Sequence, residues 1–334
     1  MSRSSPASAS RATRSDVARL AGVSPAVVSY VVNGTKRVAP ATEERVRDAV
    51  AKLGYRANPS ARALRLGSTE MLGMLTPTSM NPYFAQLAHE VEVAAARRGY
   101  LVITSSSDSS IATERVQLEQ LAGRLVDGIF LCSTVSEPDL RGLDIAGIPI
   151  VMLNNSAGVP DRDSVGVDLL HGAHLAVEHL AGHGYEEIGI VIGGTTGDEE
   201  DGRETGWRES LDRLGLPPGP IVRGSFTPEG GYDAMRRLIR SGAVPRALFV
   251  SSDQMGRGVL KAAHEANVRV PEDVAIVSFD GSLDAAYSWP TLTTVAQPLD
   301  EMAEAAVEAL LGAPHERVHR VVEAHLVIGR SCGC

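Results

Sequence analysis

The sequence has only three cysteines in 334 residues, Cys132, Cys332 and Cys334. Three thiols make no disulfide framework, which points to a reducing compartment. The last two form a closing Cys-Gly-Cys. Two thiols alone do not complete a metal site, so a fraying tail is expected there. No apolar run approaches the length of a membrane span, so no membrane partner is expected. Gly-x-Ser-x-Gly elbows and phosphate-binding glycine loops are also missing. His171, His174 and His179 fall on one expected helix, but the first two share only an i, i+3 spacing with no acidic ligand beside them. Solvated or capping histidines are the expectation, and no catalytic residue, cofactor or metal is assigned. Residues 1–12, MSRSSPASASRA, are Ser/Ala-rich with no apolar core; a disordered tail is expected rather than a secretory signal.

Net positive charge is lacking too. The formal charge of −9 by itself argues against nucleic acid. The average hides an asymmetry. Residues 1–66 hold twelve Lys/Arg and four Asp/Glu, a charge of +8; the rest holds 20 basic and 37 acidic residues, or −17. A basic module on an acidic body suits DNA binding by the first part alone.

That module is organised around TRSDVARLAGVSPAVVSYVVN, residues 13–33. Val17, Leu20 and Ala21 fall at i, i+3, i+4 and form one apolar face. Thr13 reads as a cap with Asp16 in the first turn, although Glu or Gln is the favoured capping-box partner. Gly22 ends the first helix, Ser24 caps a second, and Pro25 takes its first position. Val27, Val28, Val31 and Val32 are expected inside; Pro25, Ala26, Ser29, Tyr30 and Asn33 face out. This is a helix-turn-helix pattern, whose second helix enters the major groove. Thr42 is expected to cap a third helix over 43–53, with Val46, Val50 and Leu53 inward and Gly54 at its end. Asn58 and Pro59 open a short segment carrying Ala61, Leu64, Arg62 and Arg65, too short to be stable alone in water.

From Met71 the texture changes to short apolar runs alternating with helical patterns: MLGML, YLVIT, GIFLC, IPIVML, IGIVI, ALFVS, VAIVS and LTTV. Runs buried on both faces with helical crossovers mean parallel sheets, and about 260 residues suit two α/β lobes. In such sheets ligands bind beyond the carboxyl ends of the strands. Tyr83, Phe84, Asn154, Arg203, Trp207, Phe226, Asp253 and Asp280 all follow such runs. Together they suit a hydroxyl-rich pocket: aromatics stack on the apolar face of a sugar ring or a base, while Asp and Arg hold hydroxyls or ring nitrogens.

DVARLAGVSPAVVSYVVNG, RVRDAVAKLGYRANPSARALR and FDGSLDAAYSWPTLTTVAQPLDEM, in this order and spacing, resemble the lactose-repressor (LacI) family of transcriptional regulators. The resemblance runs from about Thr13 to Gly329. It implies a helix-turn-helix headpiece over 13–57, a hinge helix over 58–67, and a two-lobed core like that of periplasmic sugar-binding proteins. The lobes are expected at 68–165 with 293–328, and at 166–292. It also implies a homodimer or tetramer, the dimer being the first expectation, on a pseudo-palindromic double-stranded operator, controlled by a small-molecule effector, with a sugar the first expectation. Cytoplasmic, nucleoid-associated localisation follows. Pro25, Ala26 and Tyr30 match positions that read bases, Ser29 and Asn33 positions that hold phosphate, and Ala61 and Leu64 a minor-groove pair with Leu64 as the wedge. Thr13, Ser24 and Asn58 complete the expected DNA-facing set.

The departures matter. Val27-Val-Ser-Tyr30 stands where many members have Thr-Val-Ser-Arg, and tyrosine cannot make a bidentate contact to guanine. Glu43 and Ala39 stand where a basic residue and a serine are frequent. Phe279-Asp-Gly281 replaces the usual Phe-Asp-Asp, and Asn154 stands where several sugar-responsive members have Asp. The alternative reading is a cytoplasmic solute-binding module with no DNA-regulatory role.

Overall fold

A computed structural model describes residues 12–56, 67–133, 145, 147–154, 158, 162–194, 201–312 and 317–334. It divides into two compact units, Met1–Thr69 and Glu70–Cys334.

The first unit contains α1 (Arg14–Ala21), α2 (Pro25–Asn33) and α3 (Pro40–Leu53). Local chemistry sets each boundary. Asp16 completes the capping box after all: its carboxylate accepts from Thr13 N (2.9 Å) and Thr13 Oγ1 (2.6 Å), while Asp16 N donates back to Thr13 Oγ1. Gly22 takes the left-handed conformation at φ 65° that turns the chain between α1 and α2. Val17, Ala18, Ala21, Val28, Val46 and Ala49 form the small core. The expected inner faces need correction. Leu20, Val32 and Leu53 are exposed, because the three-helix junction is narrow and Ala18 and Ala49 fill it. The third helix begins at Pro40, with no side-chain cap from Ala39, rather than after Thr42. Proline at the first position supplies the fixed φ that starts it. Asn58, Ala61 and Leu64, and the expected hinge over 58–67 except Gly67, lie outside the described residues.

The second unit has two six-stranded sheets. β1 (Met71–Thr76), β2 (Leu101–Ser106), β3 (Gly128–Leu131), β4 (Ile150–Leu153), β5 (Asp163–Val167) and β11 (His319–Val322) form the first, in the order 11-5-4-3-1-2. β6 (Ile188–Gly193), β7 (Pro218–Gly224), β8 (Ala247–Val250), β9 (Ala275–Asp280), β10 (Thr293–Ala296) and β12 (His325–Val327) form the second, in the order 12-10-9-8-6-7. All described pairings are parallel except β10 with β12. Helices α4 (Pro82–Ala96) and α10 (Leu299–Leu311) cover one face of the first sheet, and α5 (Ile111–Gly123) the other. Helices α6 (Leu169–Gly182) and α7 (Gly202–Leu214) cover one face of the second sheet; α8 (Pro228–Ser241) and α9 (Asp253–Glu265) cover the other.

The lobe boundary differs from the expected one. Residues 293–296 and 325–327 belong to the second sheet, not the first, so the chain passes between the sheets three times. Buried Thr294 secures this placement: its Oγ1 donates to Asp253 in the second lobe at 2.7 Å. YLVIT is not buried on both faces; β2 is an edge strand with Leu101 exposed. The chain's last residues are not a fraying tail either. Ser331 and Cys332 are fully buried, and Ser331 Oγ accepts from Thr293 N (2.9 Å) and donates to Ile276 O (2.6 Å).

Candidate functional site

In the first unit, α2 presents Pro25 and Ala26 to solvent, with Ser29, Tyr30 and Asn33 half-buried along the same face. Ser24 Oγ accepts from Val27 N at 3.4 Å, and Thr13 is tied to Asp16, so both hydroxyls serve first as caps. Asn33 Nδ2 donates to Ser29 O (2.8 Å) and Ser29 Oγ (3.0 Å), which fixes these two side chains relative to each other. The Lys36 ammonium lies 5.5 Å from the Tyr30 ring centroid, a cation–π contact. The outer face therefore offers small, polar and cationic groups in a short, capped helix.

In the second unit, the carboxyl ends of strands from both sheets converge on a cavity of about 210 Å³. Its lining includes Tyr83, Phe84, Asn154, Arg203, Phe226 and Asp280, six of the eight expected residues. Asn81 caps α4 by accepting from Tyr83 N at 3.0 Å, which aims Tyr83 inward. The Tyr83 hydroxyl lies 2.7 Å from Asn154 Oδ1 and 2.9 Å from Gln297 Oε1, and its single proton serves one of them at a time. Gln297 Nε2 in turn donates to Asp280 Oδ1 at 3.1 Å. This chain links an amide at the end of β4 to the acid at the end of β9. Phe84 stands edge-on to Tyr83, with ring centroids 5.1 Å apart.

Arg203 is held firmly. Its Nε and Nη2 donate to the two oxygens of Asp201 at 2.8 and 2.6 Å, and Nη1 donates to Ser251 O at 2.7 Å. Burial opposes its charge, but Asp201 outweighs burial and the guanidinium is held more firmly protonated than usual. Burial likewise opposes the Asp201 carboxylate, and Arg203 carries the balance so that its pKa falls. Three of the five guanidinium N–H groups are engaged, leaving two for a ligand. The guanidinium also stacks 5.0 Å from the Phe226 ring. Phe226 lies flat over Gly193, where any Cβ would meet the ring at 2.3 Å, so glycine is required there.

Asp280 is 6% exposed and sits at φ 117°, a conformation L-residues rarely adopt. Backbone strain of that kind, held by its surroundings, clusters at ligand sites. Burial, and then the negative charge of Asp253, push its carboxyl well above the usual range, with Arg203 pulling the other way. Burial of Tyr83 pushes its phenol well up as well.

Two expected contacts are not in the cavity. Asp253 is fully buried behind it: its carboxylate accepts from Ser278 Oγ (2.6 Å), Thr294 Oγ1 (2.7 Å), Ser282 N (2.6 Å) and Ser282 Oγ (3.0 Å). All its acceptor capacity ties β9, β10 and the 281–282 turn together. The preceding residue, Ser252, is the one that lines the cavity. Trp207 is fully buried against the second sheet, with Nε1 donating to Ile188 O at 3.1 Å. Its substitution by phenylalanine is expected to cost about 1–3 kcal/mol by orphaning that carbonyl, leaving ligand preference unchanged. Urea denaturation and ligand titration of the variant check both halves.

Residues that were not anticipated include Asp201, Ser252, Gln254 and Gln297. Gln297 directly follows the last residue of β10, so the rule of looking past each apolar run could have found it. Gln254 lines the cavity and donates from Nε2 to Phe226 O at 2.5 Å, holding the loop that carries Phe226.

Known proteins resemble the chain along most of its length. The profile of bacterial regulatory proteins of the lacI family matches residues 13–58, and that of the periplasmic binding protein-like domain matches residues 177–332. The chain is 32% identical over 328 residues to the HTH-type transcriptional repressor PurR of Pasteurella multocida (strain Pm70), covering 96% of this chain and 98% of that one. It is 34% identical over 319 residues to the ribose operon repressor of Escherichia coli (strain K12), covering 94% of each. Among solved structures, the Lac repressor dimer bound to operator and the anti-inducer ONPF matches with a TM-score of 0.87 at 26% identity, over 96% of this chain and 99% of that one. The complex of the transcriptional regulator CelR with cellobiose matches with a TM-score of 0.70 at 33% identity, over 96% of this chain and all of that one (100%).

Proposed function

The chain belongs to the lacI family of bacterial regulatory proteins, and from that membership we propose that it is a sequence-specific transcriptional repressor acting at the nucleoid. A homodimer binds a pseudo-palindromic operator, and a small polar effector in the cleft sets the affinity. The observation that carries this reading is the pairing, in one chain, of a +8 helix-turn-helix unit with a −17 body that holds a cleft between two sheets. Exposed Leu283, Tyr287 and Trp289 offer an apolar surface suited to a second copy. No catalytic step is assigned to the cleft.

In this reading Pro25, Ala26 and Tyr30 meet base edges, and Thr13, Ser24, Ser29 and Asn33 meet phosphates. Residues 58–67, with Asn58, Ala61 and Leu64, act as a hinge entering the minor groove, where an apolar wedge bends the duplex. Asp280 and Arg203 hold ligand hydroxyls, Asn154, Gln254 and Gln297 add amide contacts, and Phe226 and Phe84 present ring faces. One acid, one guanidinium and several amides around aromatic faces support a sugar. Control follows from linkage: a ligand that prefers one arrangement of the lobes shifts the dimer toward it and changes DNA affinity by the same coupling energy.

A gel-shift titration against the chain's own upstream region tests the scheme. Sequence-selective binding is expected, weakening with salt at a log–log slope of about −0.9 per neutralised phosphate, and changing when ligand is added. Deleting residues 1–69 is expected to abolish DNA binding and preserve the rise in melting temperature with ligand in a screen of sugars and nucleobases. Salt-sensitive, selective binding absent under every ligand condition would overturn it.

A further inference from the structure

Four potential ligands outside the cleft and the headpiece converge where α6 ends. His179 and His183 are one helical turn apart, and Cys332 and Cys334 approach from the end of the chain; their ligand atoms all lie within 4.8 Å of one another. The Cys334 Sγ stands 3.2 Å from His183 Nε2 and 3.7 Å from His179 Nε2. Tetrahedral zinc, bonded at about 2.3 Å to sulfur and about 2.0–2.1 Å to nitrogen, holds its ligand atoms roughly 3.3–3.8 Å apart. We propose that His179, His183, Cys332 and Cys334 form a closed Cys₂His₂ site for a structural zinc ion.

The local structure suits that use. A His-x-x-x-His pair places both imidazoles on one helix face. Gly333 sits at φ 97°, which lets Cys332 and Cys334 turn toward the same side, and a side chain at 333 would close on the Tyr185 hydroxyl at 3.2 Å. Thr293 Oγ1 donates to Cys332 Sγ at 3.0 Å, an outer hydrogen bond of the kind that orients a thiolate ligand. The carboxyl end of a helix also favours a cation. Two thiolates and two imidazoles select zinc over hard cations. Four protein ligands leave no open position, so the ion is structural, and the two thiols give up their protons to solvent on binding. Leu169, at the other end of α6, lines the effector cavity, about 20 Å away along a 14-residue helix. The ion thus staples the last strand-following residues to the helix that supports the cleft, without touching the ligand.

The test uses the untagged full chain, purified under reducing conditions without chelator. Elemental analysis is expected to give one zinc per chain. After chelator treatment, cobalt added in its place is expected to show the visible absorption of a tetrahedral thiolate site. Cys334→Ser and His183→Gln change exposed residues and are expected to lose both signals while keeping a cooperative melt and DNA binding. Cys132→Ser is expected to keep them. Metal-free protein that takes up neither ion, uptake unchanged in both ligand variants, or a Cys332–Cys334 disulfide in the freshly reduced protein would each overturn the assignment.

Discussion

Asp280→Asn is expected to weaken effector binding by about 10- to 100-fold while raising the melting temperature of the ligand-free protein at neutral pH, the first from losing charge-assisted hydrogen bonds worth about 1.5–3 kcal/mol each. Both effects come from one carboxyl. Asp280 is buried, and Gln297 Nε2 is the side-chain donor it meets, at 3.1 Å. Its folded pKa lies well above the ordinary value, first through burial and then through Asp253. A raised folded pKa means the native state binds the proton more tightly than the unfolded chain. Stability from this group is therefore fully present below the ordinary carboxyl value and is lost as pH rises through the folded value. Asparagine has no such loss. The melting-temperature advantage of the variant should grow with pH across that window and then level off. A ligand that donates hydroxyls to both oxygens needs the carboxylate, and asparagine turns an NH₂ group against one of them. Wild-type binding should accordingly release a proton and tighten as pH rises. Calorimetric titration at several pH values, paired with thermal melts, reads both; equal affinities, or a melting difference flat with pH, would sink the account.

Asp253 behaves differently although it too follows an apolar run. Burial raises its carboxyl as well, and the donors Ser278, Thr294 and Ser282 offset only part of that rise while filling its acceptor sites. The contrast explains how much of the site was legible in the sequence. The end of each buried strand is announced by its apolar run, so Tyr83, Phe84, Asn154, Arg203, Phe226 and Asp280 could be placed at the cleft. Which of two consecutive residues faces the ligand could not. At 252–253 the chain passes from extended to helical geometry, and a shift of one position exchanges Ser252 in the cavity for Asp253 behind it. Trp207 sits one turn after Arg203 on the same helix, and only packing decides that its ring goes to the sheet.

The fold shows the same division. Caps and glycine turns act over three or four residues, so Thr13, Gly22, Ser24 and Gly54 marked the headpiece correctly. Unbroken aliphatic runs marked the central strands. Asp163–Val167 escaped because it carries Asp, Ser and Gly, yet all five positions are buried. Its acid is satisfied from 155 residues away, with Oδ1 accepting from Val318 N at 2.8 Å. The strands at 319–322 and 325–327 are short and partly exposed, and only long-range pairing defines them. The Cys-Gly-Cys end failed for the same reason: its histidine neighbours are 149 or more residues away in sequence.

Tyr30→Arg should change which operator the protein prefers. Tyrosine cannot form the bidentate contact to guanine O6 and N7 that arginine makes, a contact worth about 1–3 kcal/mol of discrimination per base pair. In a two-fold symmetric dimer the contact is made twice, so the preference between symmetric sites should move by about 2–6 kcal/mol, the same rule applied to both half-sites. The helix can carry the change, because Tyr30 is half-buried on the outer face of α2 and its ring packs under Lys36 rather than into the core. Selection of binding sites from a random pool should recover guanine at one symmetric position for the variant and not for the wild type. Salt dependence separates the two ways an added arginine could act. A base contact changes the preferred sequence and leaves the salt slope nearly as it was. A phosphate contact steepens the slope by about one per half-site and strengthens all sequences alike. The second outcome would place position 30 on the backbone and take base reading away from it.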